Sequence, residues 1–146
     1  MNLIKVAAGG QALSRDAAQW PIVLQESAGL MWTSDDASAK ALDYDDAVKA
    51  VASMAAAGFG GFNDWRLPTV EELFFLADRS RCNPAIDTDF FPKTKSDCYW
   101  SSSPDASVPA DYAWVVGFYY GSYCLHRGLR ARVRAVRSVS PASASQ

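Results

Sequence analysis

Three groups of residues in this chain have types and spacing that could do chemistry. The first is Asp64-Trp65-Arg66, in which a carboxylate and a guanidinium flank an indole. Such a triplet could act as an acid–base pair beside an aromatic wall. More often the Trp is a wedge and an Asp–Arg pair fixes the start of a helix, and that is the role expected here. Asn63 and Asp64 also offer the oxygen ligands that calcium takes, but they stand as an isolated pair. Asp43, Asp45 and Asp46 are acidic and close together, as the first turn of a helix favours. No metal and no cofactor is expected.

The second group is Cys82, Cys98 and Cys124, with His126 as the single histidine. Three thiols leave at least one unpaired within the chain. A Cys82–Cys98 bridge and incidental small residues are both open readings. Zinc is not expected, because CxxC and HxxxH spacings are missing. Thiol chemistry needs surroundings that stabilise a thiolate, and nothing in the sequence supplies a base for one.

The third group is aromatic and basic. Residues 99–123 hold eight of the eighteen aromatic side chains. Trp100, Trp114 and Phe118 are expected in the core. Tyr119, Tyr120 and Tyr123 flank Gly121 at a turn, where burying all three is difficult. Exposed tyrosines give large amphipathic contact area at low rotamer cost. Arg127, Arg130, Arg132, Arg134 and Arg137 follow, and alternation would place Arg130, Arg132 and Arg134 on one strand face. An anionic ligand such as a sulfated glycan would suit that face. Protection of an edge strand, or pairing with acidic residues elsewhere, is the other reading and the one favoured for Arg134 and Arg137, whereas Arg127 and Arg130 are the better candidates for a ligand. The expected ligand-binding set is therefore Tyr112, Tyr119, Tyr120, Ser122, Tyr123, Leu125, His126, Arg127 and Arg130.

The charge balance agrees with that choice. A net charge of −2 over 146 residues argues against a dedicated nucleic-acid binder. Residues 112–146 nevertheless contain five arginines and no acid, so the near-neutral total averages an acidic body and a basic C-terminal part. At 49% hydrophobic the chain can close a core, which excludes general disorder. It contains no apolar run of the roughly 18 residues that cross a bilayer, so no membrane insertion is expected. No signal peptide is recognisable at the N-terminus.

The elements that must position these residues can be read along the chain. Pro21-Ile22-Val23-Leu24-Gln25 and Leu30-Met31-Trp32-Thr33 read as strands about a Ser27-Ala28-Gly29 turn. Asp43 caps a helix with a stripe of Tyr44, Ala47, Val48, Val51 and Met54, ended by Gly58. Thr69 and Glu72 have capping-box spacing, and Pro68 sharpens the start of a second helix. Val70, Leu73, Phe74 and Ala77 form its stripe, with Arg79 and Arg81 complementing its C-terminal dipole. Tyr99-Trp100-Ser101 and residues 112–118 read as strands, Gly121 as a hairpin turn, and residues 129–136 as a last alternating strand. The fold class is α+β, with two helices packed on short antiparallel sheets. Residues 1–27 are expected to be an N-terminal strand or arm, 28–138 the domain, and 139–146 a disordered tail.

Several of these segments together resemble a known family. They are Gly29-Leu30-Met31-Trp32-Thr33, Asp64-Trp65-Arg66-Leu67-Pro68-Thr69, Asn83-Pro84-Ala85-Ile86-Asp87, Tyr99-Trp100-Ser101-Ser102-Ser103, Ala113-Trp114-Val115-Val116-Gly117-Phe118 and Val133-Arg134-Ala135-Val136-Arg137. The chain is similar to the DUF1566 family, the C-terminal domain of the Legionella collagen-like adhesin (Lcl_C). The resemblance implies a C-type lectin-like fold, with Trp32, Asp64, Trp65, Arg66, Pro68, Thr69, Glu72, Trp100 and Trp114 as structural motif residues. The Trp-Asn-Asp and Glu-Pro-Asn signatures of calcium-dependent lectins are missing. So are a first-helix cysteine and a cysteine at position 135, both frequent in the family.

What the resemblance implies about function is non-enzymatic recognition or adhesion. With no leader visible, the expected setting is a phage virion, on a tail or capsid, binding a host-surface glycan or protein. Such a chain is made in the cytoplasm. A removed leader would instead place it on a bacterial surface or outside the cell. A structural virion or assembly subunit contacting other virion proteins is the alternative, and an enzyme of the formylglycine-generating type a more distant one. Some similar domains are diversified by retroelements near the C-terminus, and the heterogeneous run 119–127 is compatible with that. Relatives with collagen-like stems form trimers, which leaves a homo-oligomer open here.

Overall fold

Short apolar runs, too short for helices and bounded by turns, pair into two antiparallel sheets. A computed structural model describes residues 2–104, 112–119, 122–127 and 130–139. Its strands are β1 (Leu3–Val6), β2 (Ile22–Gln25), β3 (Leu30–Thr33), β4 (Cys98–Pro104), β5 (Tyr112–Gly117), β6 (Ser122–Arg127) and β7 (Val136–Ser138). One sheet has the order β1-β2-β3-β7, the other β4-β5-β6. The N-terminal segment thus supplies two strands to the sheet that β7 closes, and Trp32 stands opposite both Val23 and Val136. Gly29, at φ 65°, takes the left-handed conformation that turns β2 back into β3 after the 3-10 turn Glu26–Ala28.

Two helices connect the sheets. In α1 (Tyr44–Ala56) the Asp43 carboxylate accepts from Asp46 N at 2.8 Å, as a cap should. Ala47 and Val51 are buried, whereas Val48 points away from that line and is 42% exposed. In α2 (Val70–Leu76) the capping box is complete. Thr69 Oγ1 accepts from Glu72 N at 3.2 Å, and Glu72 Oε1 accepts from Thr69 N at 2.8 Å. Leu73 and Leu76 are buried, each contributing about 2 kcal/mol of hydrophobic stabilisation. Ala77 turns extended and ends the helix. Arg79 still reaches back to Phe74 O at 3.2 Å. Arg81 does not serve α2; it pairs with Asp78 at 3.1 Å and Asp87 at 3.6 Å.

Strands β2, β3, β4 and β5 bury side chains on both of their faces. Trp100, Ala113 and Val115 join one buried cluster with Ala47, Val51 and Trp65. Tyr99, Val116 and Phe118 join another with Leu73, Leu76, Phe91 and Trp32. Consecutive residues of one strand therefore enter different clusters, and simple polar–apolar alternation is lost.

The expected strand at 129–136 is the clearest correction. Among the described residues of that stretch, only those of Val136–Ser138 form a strand. Residues 131–135 instead run between the sheets, and their backbone groups are satisfied one by one. Ala131 and Leu42 exchange bonds at 2.9 Å, Arg132 N donates to Cys98 O at 2.8 Å, and Val133 O accepts from Ala37 N at 2.7 Å. Burial replaces alternation, since Ala131, Val133, Arg134, Ala135 and Val136 are all buried. The architecture is α+β with two helices and short antiparallel sheets. Among the described residues no helix is long and apolar enough to cross a membrane.

Candidate functional site

The Asp64-Trp65-Arg66 triplet is structural, but not through the pairing its sequence suggests. Trp65 is a buried wedge, edge-on to Phe59 and Phe62, with its indole N–H donating to Phe59 O at 2.8 Å. Asp64 pairs with Arg137, not with its neighbour Arg66. Arg66 makes a two-pronged contact with Glu72, both prongs at 2.8 Å, and so joins β7 to the cap of α2. Hydrogen bonding from Arg137 holds the Asp64 carboxyl below its ordinary value. Burial pushes Glu72 up, but the bonds from Arg66 and Thr69 outweigh it and the net shift is downward. These carboxylates are committed to folding. Trp32 and Trp100 are likewise core, their indole N–H groups donating to Gln25 Oε1 and Leu42 O. Pro68 stands ahead of the α2 cap and its carbonyl accepts from Ser102 N at 2.7 Å.

The arginines do not form one exposed stripe. Arg130 is exposed. Arg132 is half-buried and 3.5 Å from Asp97. Arg134 is wholly buried, donating to Thr33 O at 2.5 Å and Thr94 Oγ1 at 2.7 Å, with Asp36 Oδ1 at 3.6 Å. Its guanidinium lies over the Phe91 and Tyr99 rings. The Tyr99 hydroxyl donates to Asp36 at 2.6 Å, completing a buried polar cluster. Burial raises Asp36 above the usual carboxylate range, partly offset by Tyr99 and Arg134, and burial raises the Tyr99 phenol as well.

The expected ligand-binding residues map onto the β5–β6 pair. Cross-strand register places Tyr112 opposite Arg127, Ala113 opposite His126, Trp114 opposite Leu125, Val116 opposite Tyr123 and Gly117 opposite Ser122. Six of the nine are thus gathered on or beside one ladder. Tyr119 follows β5, and Tyr120 lies outside the described residues. The backbone here is anchored. Phe118 is fully buried, its N–H donates to Asp97 O at 3.0 Å, and its carbonyl accepts from Ala85 N at 2.6 Å. Tyr119 O accepts from Asn83 N at 2.8 Å, while the Tyr119 side chain is 44% exposed.

One surface was not anticipated from the sequence. Phe75 on α2 is 67% exposed. Beside it Val70, Glu71, Phe74 and the half-buried Trp114 line a groove of about 330 Å³. Trp114 therefore belongs to this groove rather than to either core cluster. The available signal was angular: two positions from Leu73, Phe75 falls on the opposite side of the helix.

Cys82 is an exposed free thiol, so the Cys82–Cys98 bridge is not formed. Among the described residues no cluster of three or more His, Cys, Asp or Glu side chains could hold a metal ion. In comparisons with known proteins, a family model described as the Lcl C-terminal domain matches residues 21–137. No curated protein matches the chain.

Proposed function

The chain belongs to the Lcl C-terminal domain family, and from that premise we propose that it is a non-enzymatic recognition domain with a C-type lectin-like fold. The family makes an adhesin-like role the starting point. The finer reading is a phage virion component, on a tail or capsid, that binds a host-surface glycan or protein. Its contact surface is Tyr112, Tyr119, Tyr120, Ser122, Tyr123, Leu125, His126, Arg127 and Arg130.

The observation that carries this reading is the contrast between Phe118 and Tyr119. One is fully buried and bonded through its backbone to two loops, and the next is 44% exposed. A tyrosine presented from a fixed backbone loses little entropy on contact, which is how preorganised recognition surfaces gain affinity. Arginine, like tyrosine, is among the residue types enriched in binding hot spots.

A structural virion or assembly role is the second reading, supported by Phe75. A side chain of that size, 67% exposed beside an apolar groove, suits a protein partner.

The test is binding of the purified chain to intact candidate host cells and to a glycan array, with and without chelator. Binding is expected to survive chelator and to fall in Tyr120→Ala and Arg127→Ala. Unchanged binding by both variants places the contact elsewhere, and strong calcium dependence contradicts a metal-free site.

A further inference from the structure

Away from the β5–β6 ladder, Trp20, Pro21, Ser34, Asp35, Pro92 and Lys93 enclose a cleft of about 570 Å³. That volume is in the range of small-molecule sites. We propose that this cleft is a second binding site, for a neutral saccharide unit, independent of the recognition surface described above.

The walls are built, not incidental. Arg134 ties two of them together from below. Thr33 and Asp36 bracket Ser34 and Asp35, Thr94 directly follows Lys93, and the buried guanidinium holds Thr33 O, Thr94 Oγ1 and Asp36 at once. Trp20 is fixed to both walls: its indole N–H donates to Phe90 O at 2.9 Å, and Ser34 Oγ donates to Trp20 O at 2.7 Å. The buried Lys5 ammonium sits 3.8 Å from the centre of the indole and is held by Arg15 O and Ala17 O. The aromatic wall is therefore rigid before any ligand arrives.

The chemistry on offer selects a sugar. A pyranose presents an apolar C–H face, which packs against the aromatic surface that Trp20 leaves to the cleft beside Lys5, and a rim of hydroxyls that both donate and accept. Asp35 and Lys93 stand 3.6 Å apart at the mouth with side chains 53% and 72% exposed. One supplies acceptors and the other donors, and charge-assisted bonds of this kind are the strong ones. Their charges cancel, so this pair gives no net attraction to a sulfated or phosphorylated ligand, and the Lys5 ammonium at the indole is taken up by the Arg15 and Ala17 carbonyls. A peptide strand is disfavoured by the backbone. Pro21 and Pro92 have no N–H, and Ser34 N is already bonded to Pro21 O at 3.0 Å.

The experiment follows the Trp20 indole N–H of the full chain by NMR, with the signal assigned through Trp20→Phe. The probes are maltotriose, N-acetyllactosamine and chitotriose, a sulfated heparin disaccharide, and an uncharged extended peptide. A saturable shift of Trp20 with at least one neutral oligosaccharide is expected. Asp35→Asn and Lys93→Met, both on the surface, should each weaken it about tenfold without changing the melting temperature. Tyr119→Ala should leave it unchanged, which separates this site from the surface proposed above. A shift produced by none of the neutral sugars at millimolar concentration, or only by the sulfated sugar or the peptide, overturns the proposal. So does wild-type affinity in both Asp35→Asn and Lys93→Met.

Discussion

The guanidinium of Arg137 grips the carboxylate of Asp64, with Nε 2.6 Å from Oδ1 and Nη2 3.2 Å from Oδ2. The same arginine lies 3.9 Å over the Phe62 ring, so the last strand is bound to the turn that precedes Trp65. The Asp64 side chain is 54% exposed and solvent screens the pair. Asp64→Asn is expected to cost at most about 1 kcal/mol in a urea melt at neutral pH.

The pH dependence follows from the same carboxylates. Asp64, Glu72 and Asp78 are held below their ordinary values when folded, Asp78 chiefly through the Ser80 hydroxyl. Each then contributes stability that is present above its unfolded value of about 4 and is lost as pH falls through its folded value. Asp36, raised by burial, acts in the opposite sense. Its contribution is complete below the unfolded value and is lost as pH rises through the folded one. The loss of stability on acidification below about pH 4 should come from these three carboxylates, with Asp36 opposing it, and Asp64→Asn should flatten that loss. Thermal melts across pH 2.5–7 measure it, and a melting temperature that rises on acidification contradicts the assignment.

Arg134 should be the most sensitive charged residue in the fold. Removing it in Arg134→Ala takes the guanidinium from Thr33 O, Thr94 Oγ1 and Asp36 and leaves the buried Asp36 carboxyl with Tyr99 but without its cation, at an expected cost of about 3–5 kcal/mol. Arg134→Lys keeps the charge but not the fork that reaches Thr33 and Thr94 together, and should recover only part of it. Chemical denaturation of both variants gives the comparison.

The α2 cap is a local feature and should behave as one. Thr69→Ala is expected to cost about 1 kcal/mol, and Thr69→Ser much less. Glu72→Ala should cost more than Thr69→Ala, because Glu72 also anchors Arg66. Equal costs would mean that the Arg66 contact adds nothing.

These residues also show what a sequence can reveal. The caps of α1 and α2 were legible because a cap and its amide lie three residues apart. The strands β2 and β3 were legible as short apolar runs between turns. The partner of Asp64 was not, since Arg137 is seventy-three positions away while Arg66 is adjacent. Pairing with an acidic residue was one reading open for Arg134, but its partners were not legible, because nothing local reveals that Thr33, Asp36 and Thr94 converge on it. The ladder from Tyr112 to Arg127 was legible as a hairpin. The groove beside Phe75 and the Trp20 cleft were not, because each is assembled from segments distant in the chain.

The central claim is that recognition occurs at the β5–β6 surface, and the most direct test is the affinity of purified Tyr119→Ala and Arg130→Ala for host cells that bind the wild-type chain. The prediction is a loss of about thirtyfold for Tyr119→Ala, a hot-spot effect of roughly 2 kcal/mol, and a smaller loss for Arg130→Ala, with melting temperatures unchanged. Wild-type affinity in both folded variants would contradict the assignment.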